Sequence, residues 1–190
     1  MKVLGISGSP RRGGNTELLV KKALGFCKAE GAAVSFIALS EKRIEHCRGC
    51  NSCREPPHLC GQEDDVAGIL AEMKSADAII IGSPTYFSAV SGKLKSLLDR
   101  TLPLRVGGFQ LSGKVGGAIA VGGSRNGGQE SVCRDIQNWM LIHEMIVMNP
   151  SLRFTARFWE GGMAFKGVIK GKGGEVTHEE SSPYSGSRGG

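Results

Sequence analysis

Val3-Leu4-Gly5-Ile6 is followed directly by Ser7-Gly8-Ser9-Pro10-Arg11-Arg12-Gly13-Gly14-Asn15-Thr16. A short apolar run that leads into a loop of glycines and hydroxyl residues is typical of the first strand of an α/β fold. Apolar residues then recur at helical spacing over residues 15–29. The inner face predicted for this helix consists of Leu18, Leu19, Ala23 and Phe26. The start of the chain therefore predicts a strand, a loop and a helix in succession.

Strands and helices continue to alternate along the chain. Further strands are predicted at 33–39, 78–81, 115–121 and 145–148, and further helices at 64–74, 93–100 and 129–143. This alternation predicts an α/β fold in which helices cover both faces of a parallel sheet. Five strands with a ligand loop after the first fit a flavodoxin-like three-layer sandwich with the strand order 2-1-3-4-5.

Length and composition fit one such domain. The chain has 190 residues, which suits a single hydrophobic core, and its 22% of charged residues is ordinary for a globular protein. We predict one domain over residues 1–169, including a cysteine-rich loop after strand 2 at residues 46–61. Residues 170–190 are rich in glycine, serine and charged side chains, so we expect a flexible tail there.

The charge pattern argues against some classes of partner. The formal net charge is +6, but the basic residues are scattered and do not alternate with aromatic ones, so no nucleic-acid partner is predicted. No apolar stretch approaches the roughly 20 residues that span a bilayer, so no membrane association is predicted. Met1-Lys2 leads straight into the first strand rather than into a signal peptide. We therefore expect a cytoplasmic protein whose six cysteines are thiols.

The first loop suits a phosphate group. Small residues let backbone N–H groups approach an anion, hydroxyls can donate to it, and the following helix presents its positive end. The predicted phosphate contacts are Ser7, Ser9, Arg11, Asn15 and Thr16. The loop matches neither G-x-G-x-x-G nor the Walker pattern, so dinucleotide and nucleoside-triphosphate sites fit less well. The alternative is a glycine-rich turn in which Asn15 caps the helix.

Two more loops follow the third and fourth strands, at residues 82–88 and 122–130. Loops at the carboxyl ends of parallel strands meet at one edge of the sheet. Their mixture of aromatic rings and closely approaching backbone suits a flat ligand with polar edges, such as an isoalloxazine ring. The predicted contacts are Pro84, Thr85, Tyr86, Phe87, Gly122, Gly123, Ser124, Asn126, Gly127 and Gly128. One of the two aromatic residues, Tyr86 or Phe87, is expected in the core.

In combination, the segments SGSPRRGGNT, GSPTYF and GGSRNGGQE resemble the FMN-contact loops of the NADPH-dependent FMN reductase branch of flavodoxin-like proteins. The resemblance covers about residues 1–150. It implies that FMN is the ligand of the three loops.

Four cysteines form a compact motif, C-x2-C-x2-C-x6-C, at Cys47, Cys50, Cys53 and Cys60. Three cysteines at this spacing can wrap one region of a cubane cluster, as at the start of the bacterial ferredoxin motif. A zinc site more usually pairs two C-x2-C knuckles that lie far apart in sequence. The spacing therefore favours a [4Fe–4S] cluster over zinc, and a thiol loop without metal is the remaining alternative.

The same four positions resemble the cysteine motif of the iron–sulfur flavoproteins of anaerobic archaea and bacteria. That resemblance implies one FMN and one [4Fe–4S] cluster per subunit, a homo-oligomer (dimer or tetramer) and ferredoxin as the electron donor. Similar C-x-G-C-x-x-C loops also occur without a cluster in the wider branch, where the donor is NAD(P)H.

The resulting prediction is an electron-transfer flavoenzyme that needs no catalytic side chain, because the cofactors supply the chemistry. Two alternatives stay open: a cluster-free NAD(P)H-dependent FMN or quinone reductase, and a non-enzymatic flavodoxin-like carrier or thiol redox sensor. Outside these motifs, Asp64 and Asp65 are expected to cap a helix. His143 is expected near a helix C-terminus, where the helix dipole favours its charged form.

Overall fold

Five parallel strands form the central sheet of the computed structural model, which describes residues 1–148. The strands are β1 (Lys2–Ser7), β2 (Ala33–Ala38), β3 (Ala78–Pro84), β4 (Val115–Val121) and β5 (Ile146–Val147). They lie in the order β2-β1-β3-β4-β5, and every neighbouring pair is parallel. The predicted flavodoxin-like fold is therefore confirmed. The predicted domain end at residue 169 and the predicted tail lie outside the described residues.

The helices of the described chain are α1 (Asn15–Ala29), α2 (Val66–Ser75), α3 (Gly92–Asp99), α4 (Leu102–Val106) and α5 (Gln129–Ile142). The sequence pattern did not predict α4, which is too short to show helical periodicity. The sequence pattern predicts a loop over residues 82–88, but residues 82–84 belong to β3, where they pair with the end of β4.

The part of the chain that the structure describes contains no helix long and apolar enough to cross a membrane.

Two hydrophobic clusters lie on opposite faces of the sheet. The larger cluster joins Leu4 and Ile6 of β1 to residues of α2, α3 and α5. The smaller cluster joins Val3 of β1 to Val20 and Leu24 of α1. Side chains alternate between the two faces along a strand, so β1 contributes to both clusters.

The inner face of α1 differs from the prediction. Leu18 is 57% exposed and Phe26 is 37% exposed, whereas Val20 and Leu24 are buried. The reason lies in the sheet, because two glycines let the helix approach closely at these positions. A Cβ on Gly5 would lie 2.6 Å from Leu24 Cδ1, and a Cβ on Gly82 would lie 2.5 Å from Val20 Cγ2.

Candidate functional site

The three predicted loops, residues 7–16 (loop 1), 82–88 (loop 2) and 122–130 (loop 3), meet at the carboxyl edge of the sheet. Loops 1 and 2 are joined where the Gly8 N–H donates to the Gly82 carbonyl at 2.7 Å. The buried Ser91 hydroxyl donates to the Gly8 carbonyl at 2.5 Å. The same oxygen accepts the Leu94 N–H at 3.2 Å and so caps α3. One serine thus fixes loop 1 to the start of a helix.

Loop 2 also contacts the end of β4 and loop 3. The Thr85 N–H donates to the Val121 carbonyl at 2.7 Å. A Cβ on Gly128 would lie 2.6 Å from Ser88 Cα, so the backbones of loops 2 and 3 touch. The structure therefore brings the three loops together, as the parallel topology predicted.

Loop 1 leads into a helix start that no side chain of residues 1–148 caps. Gly14 is the N-cap residue and makes no side-chain capping bond, so the alternative role of Asn15 as the cap is wrong. The first N–H groups of any helix lack intrahelical acceptors, and the helix dipole favours an anion there. Ser7, Ser9 and Thr16 are buried around this point, whereas Arg11 is exposed. The arrangement suits a phosphate group.

Glu17 organises loop 1, a role that the sequence analysis missed. Its carboxylate accepts the Gly13 N–H at 3.0 Å and pairs with Lys21 at 2.5 Å. The hydrogen bond from Lys21 and that from Gly13 lower the pKa of Glu17 below its usual value, so the carboxylate is ionised. The Gly13 N–H is consequently not free for a ligand. The signal in the sequence was an acidic residue in the first turn of a helix.

Loop 2 holds a buried hydroxyl without a partner. Thr85 Oγ1 is inaccessible to solvent, and no group in residues 1–148 hydrogen-bonds to it. Buried polar atoms are almost always paired in native proteins, so an unpaired one at the edge where the three loops meet fits the contact point of a polar ligand. Together with the uncapped start of α1, this hydroxyl fits a phosphorylated ring compound such as FMN.

The two aromatic residues of loop 2 are both outside the core, so the expectation that one is buried is wrong. Tyr86 is 40% exposed and Phe87 is fully exposed. The backbone of Tyr86 exchanges two hydrogen bonds with Ala89, both at 3.0 Å, which closes a tight turn. The two residues in between, Phe87 and Ser88, have φ of 47° and 60°. A turn of this type holds its central residues at the surface.

Loop 3 is shaped by Gln129, the first residue of α5. Its side-chain oxygen accepts the Gly127 N–H at 3.0 Å, and its side-chain nitrogen donates to the Ser124 carbonyl at 2.6 Å. A Cβ on Gly122 would lie 2.1 Å from Gln129 Nε2, so a side chain at this position would displace the Gln129 amide from its place in loop 3. Gly123, Ser124 and Asn126 are exposed, and Gly127 and Gly128 are half-buried.

The cysteine loop (residues 46–61) follows β2, at the same carboxyl edge. Cys47 and Cys50 are exposed, Cys53 and Cys60 are half-buried, and all four are free thiols. Burial raises the pKa of the Cys53 thiol, and the nearby charges of Cys60, Cys47 and Cys50 raise it further. The Cys50 thiol lies 3.3 Å from the Ser52 hydroxyl, and this contact lowers its pKa.

Within residues 1–148, no three His, Cys, Asp or Glu side chains converge as ligands around one point. The chemistry of the loop still fits a metal centre. Four thiols on one short segment, close enough for their charges to interact, match the sulfur donors that iron–sulfur clusters and zinc prefer.

Two neighbouring carboxylates close the base of the cysteine loop. Asp65 accepts the Arg43 N–H at 2.6 Å, and its own N–H donates to the Arg43 carbonyl at 3.1 Å. Asp64 accepts the Glu45 N–H at 2.9 Å and the Val66 N–H at 3.1 Å. Asp65 occupies the N-cap position of α2, but its side chain makes no capping bond there and holds the segment that enters the loop instead. Asp64, one residue earlier, accepts the first N–H of α2.

Arg100 links the cysteine loop to the core. Its Nη1 pairs with the Asp64 carboxylate, and both side chains are at most 1% exposed. Its Nη2 donates to Cys60 Sγ at 3.3 Å. Burial alone would raise the pKa of Asp64, but the bonds from Arg100 and two backbone N–H groups hold it below its usual value. The sequence analysis missed Arg100, because its partners lie 36 and 40 positions away.

His143 is neutral, contrary to the expectation from its place at the end of α5. It is only 3% exposed, and its Nε2 lies 2.9 Å from Thr101 Oγ1. Burial and, to a smaller extent, the charge of Arg105 lower the pKa of His143 to about 4. Desolvation thus outweighs the helix dipole here.

Comparison with known proteins gives matches over most of the chain. The family model of the NADPH-dependent FMN reductases matches residues 1–160. An iron–sulfur flavoprotein of Methanocaldococcus jannaschii is 57% identical over 151 residues, or 80% of this chain and 77% of that protein. An iron–sulfur flavoprotein of Methanosarcina thermophila is 41% identical over 84% of this chain and 83% of that protein. The structure of an archaeal flavodoxin is similar with a TM-score of 0.51 at 18% identity, over 83% of this chain and 90% of that one.

Proposed function

We propose that this chain, which belongs to the NADPH-dependent FMN reductase family and, within it, to the iron–sulfur flavoproteins, transfers electrons between a ferredoxin-type donor and a further acceptor through FMN and a [4Fe–4S] cluster. Its family makes it a flavin-dependent oxidoreductase. The observation that carries the proposal is the meeting of loops 1, 2 and 3 at one sheet edge, from which the cysteine loop also departs.

Loop 1 holds the FMN phosphate in this proposal. The uncapped start of α1 and the buried hydroxyls of Ser7, Ser9 and Thr16 supply donors, and Arg11 and Asn15 complete the set. Loops 2 and 3 hold the ring, with Thr85 Oγ1 as a hydrogen-bonding partner of its polar edge. The other proposed ring contacts are Pro84, Tyr86, Phe87, Gly122, Gly123, Ser124, Asn126, Gly127 and Gly128.

The cysteine loop holds the cluster, with Cys47, Cys50, Cys53 and Cys60 as ligands. Four free thiols within reach of one another's charge support this assignment, as do the names of the relatives. When bound, FMN exchanges one or two electrons and a [4Fe–4S] cluster exchanges one, so together they convert single electrons into pairs. The chain's own residues bind and orient these groups, and no side-chain general base is required.

Reduced ferredoxin is the proposed electron donor. The proposed protein is a homo-oligomer of this chain in the cytoplasm. The net charge of +6 favours encounter with an acidic partner through long-range steering. The rate of reduction by ferredoxin should therefore fall as ionic strength rises. A rate that is independent of salt would exclude steering.

The test is anaerobic purification of the full chain, followed by a visible spectrum and by iron, acid-labile sulfide and FMN counts. We expect about four iron and four sulfide per FMN. Cys60→Ala should lose the iron and keep FMN, whereas Cys133→Ala, a free thiol in α5 outside the loop, should keep both.

Two results would favour the alternatives. Rapid bleaching of the flavin by NAD(P)H in a chain that never binds iron would establish a cluster-free reductase. Tight FMN binding without turnover of any acceptor would point to a carrier or a thiol sensor.

A further inference from the structure

We propose that Arg100 is a positioning residue for the cluster: it fixes Cys60 as the fourth ligand and raises the reduction potential of the bound cluster. The inference rests on the proposed function, because it presupposes the [4Fe–4S] cluster in the cysteine loop. It adds a residue outside the cysteine motif to the metal site, and it assigns that residue a measurable effect.

The guanidinium of Arg100 is held in place from one side. Its Nη1 pairs with Asp64 and donates to the Glu45 carbonyl at 3.1 Å. Asp64 in turn accepts two backbone N–H groups, those of Glu45 and Val66. Because both charged side chains are buried and multiply bonded, neither can reorient without breaking several hydrogen bonds.

The other edge of the guanidinium faces sulfur. Nη2 lies 3.3 Å from Cys60 Sγ, and the neighbouring Nε is buried and has no partner in residues 1–148. In the planar guanidinium, the Nε–H and one Nη2–H point the same way, as a two-pronged fork. Arg100 therefore carries a second donor, Nε, next to the nitrogen that contacts Cys60, and no described residue accepts from it. A buried unpaired donor is costly unless an acceptor arrives, and the sulfur atoms of a cluster are acceptors.

Among the four proposed cysteine ligands, Cys60 most needs a contact that fixes its position relative to the other three. The x2 spacings keep Cys47, Cys50 and Cys53 together, whereas six residues separate Cys53 from Cys60. A contact to a buried side chain of the core fixes the position of Cys60 independently of the intervening residues. Arg100 is the core residue that makes this contact.

An effect on the potential follows from the same geometry. Reduction adds negative charge to the cluster and its thiolates, and hydrogen bonds to these sulfurs stabilise the reduced form. A purely structural link between Arg100 and the loop would leave the potential unchanged. The reduction potential of the cluster therefore separates the two roles.

The experiment is an anaerobic redox titration of the full-length protein carrying FMN and cluster, with the reduced cluster followed by electron paramagnetic resonance and the flavin by absorbance. The variant is the double substitution Arg100→Met with Asp64→Asn, which avoids leaving a lone buried carboxylate. The matched control is Arg54→Met, because Arg54 lies in the cysteine loop and donates to Asn51 rather than to a thiol.

In the double variant we expect about a tenfold lower ratio of reduced to oxidised cluster at a given potential, a shift of about 59 mV for a one-electron couple. The reduction potential of the flavin in the double variant should be unchanged. In the control Arg54→Met, the ratio of reduced to oxidised cluster at a given potential should change less than twofold. A double variant that folds and binds FMN normally but loses iron would also support the positioning role when the single variant Asp64→Asn, which keeps Arg100, retains its iron. Equal loss of iron in Asp64→Asn alone would assign the effect to the base of the loop and overturn the inference.

An unchanged cluster potential in the loaded double variant would overturn the inference while leaving the proposed function intact. A double variant that no longer binds FMN and no longer unfolds cooperatively would also overturn it, because Arg100 and Asp64 would then be required for the fold as a whole. A wild-type chain that takes up no iron and sulfide would instead overturn the proposed function, and this inference with it.

Discussion

Gly128 lies so close to Ser88 that a side chain at position 128 has no room. A Cβ there would stand 2.4 Å from Ser88 Oγ and 2.6 Å from Ser88 Cα. The φ of Gly128 is +90°, a conformation that residues with a Cβ rarely adopt. The contact between loops 2 and 3 thus depends on glycine for two separate reasons.

Gly128→Ala should therefore force loop 3 away from loop 2. We expect FMN binding, measured by fluorescence titration, to weaken at least about tenfold, and the free energy of unfolding to fall by about 1–3 kcal/mol. The control is Gly25→Ala in α1, where a Cβ meets open space. That variant should gain about 0.5–1 kcal/mol from helix propensity and bind FMN normally. Equal FMN affinity in both variants would show that the contact between the loops is unimportant.

Ser91→Ala removes the hydroxyl that joins loop 1 to α3. The α3 N-terminus loses its cap and the Gly8 carbonyl loses a donor, so we expect the free energy of unfolding to fall by about 1–3 kcal/mol. Urea denaturation of the FMN-free protein measures this loss. Ser112→Ala, at an exposed position, is the control and should change the free energy by less than about 0.5 kcal/mol. A loss of similar size in both variants would contradict the linking role of Ser91.

Thr85→Val should have opposite effects on stability and on binding. The Thr85 hydroxyl is buried and has no hydrogen-bond partner in the described part of the chain, so an isosteric apolar side chain should leave the FMN-free protein unchanged or more stable by about 1 kcal/mol. If the hydroxyl bonds to the flavin, FMN affinity should fall about tenfold, the loss of one hydrogen bond. Calorimetric titration and urea denaturation measure the two quantities. Unchanged FMN affinity would remove Thr85 from the binding site.

The buried network around His143 predicts a pH dependence of stability. Thr101 Oγ1 donates to the Leu98 carbonyl at 2.7 Å and accepts the Trp139 indole N–H at 2.9 Å. Its only proton is therefore used, so His143 Nε2 must carry a hydrogen and donate to it. The other ring nitrogen, Nδ1, is buried and has no partner among the described residues. Protonating Nδ1 would place an unsolvated charge in the core.

The pKa of His143 is lowered from 6.5 to about 4 by burial, so the unfolded chain binds a proton more readily than the native one between these values. The contribution of neutral His143 to the free energy of unfolding is complete above pH 6.5. It is lost as the pH falls toward about 4, and the total loss is about 3 kcal/mol. His143→Gln keeps a donor for Thr101 and should remove most of this slope. The pKa of Asp64 lies below its usual 3.8, so its contribution is lost only in stronger acid. Urea denaturation at several pH values measures the contributions of His143 and Asp64. If the free energy of unfolding of His143→Gln depends on pH as steeply as that of the wild type between pH 4 and 6.5, the assignment of this dependence to His143 is contradicted.

The sheet order was predictable because it depends on local patterns and on one rule of handedness. Each of the longer strands is an apolar run of a few residues, such as residues 78–81, and right-handed crossovers leave few ways to order them. The ligand loops were predictable for a related reason, since they follow the strands directly. Their residues then lie at the carboxyl edge whatever their own conformation.

The inner face of α1 was not predictable in the same way. Leu18 and Val20 are both apolar, and hydrophobic spacing does not decide which of them packs inward. The decision depends on Gly5 and Gly82, which lie on two strands of the sheet and let Val20 and Leu24 approach. A feature that requires three segments to be assembled is not encoded in any one of them.

Arg100 was missed by the sequence analysis, and the expectation that Tyr86 or Phe87 is buried was wrong, because the surroundings of these residues depend on distant segments or on backbone conformation. A lone arginine after a helix is ordinarily a surface residue, and only the fold brings Asp64 and Cys60 to it. The aromatic pair has the composition of a core segment, but a tight turn holds Phe87 at its tip. Burial in these cases is set by tertiary contacts rather than by residue type.

The clasp formed by Asp64 and Asp65 on the backbone of residues 43–45 has an evolutionary consequence. Because the two ends of the cysteine loop are tied to each other, the length and content of the segment between them can vary without disturbing the sheet, as long as Cys60 stays in place for the buried Arg100. The cysteine loop can therefore be gained, shortened or replaced in evolution while the fold that carries the flavin loops stays the same. Chimeras that swap residues 46–61 between relatives should for this reason fold as well as their parents.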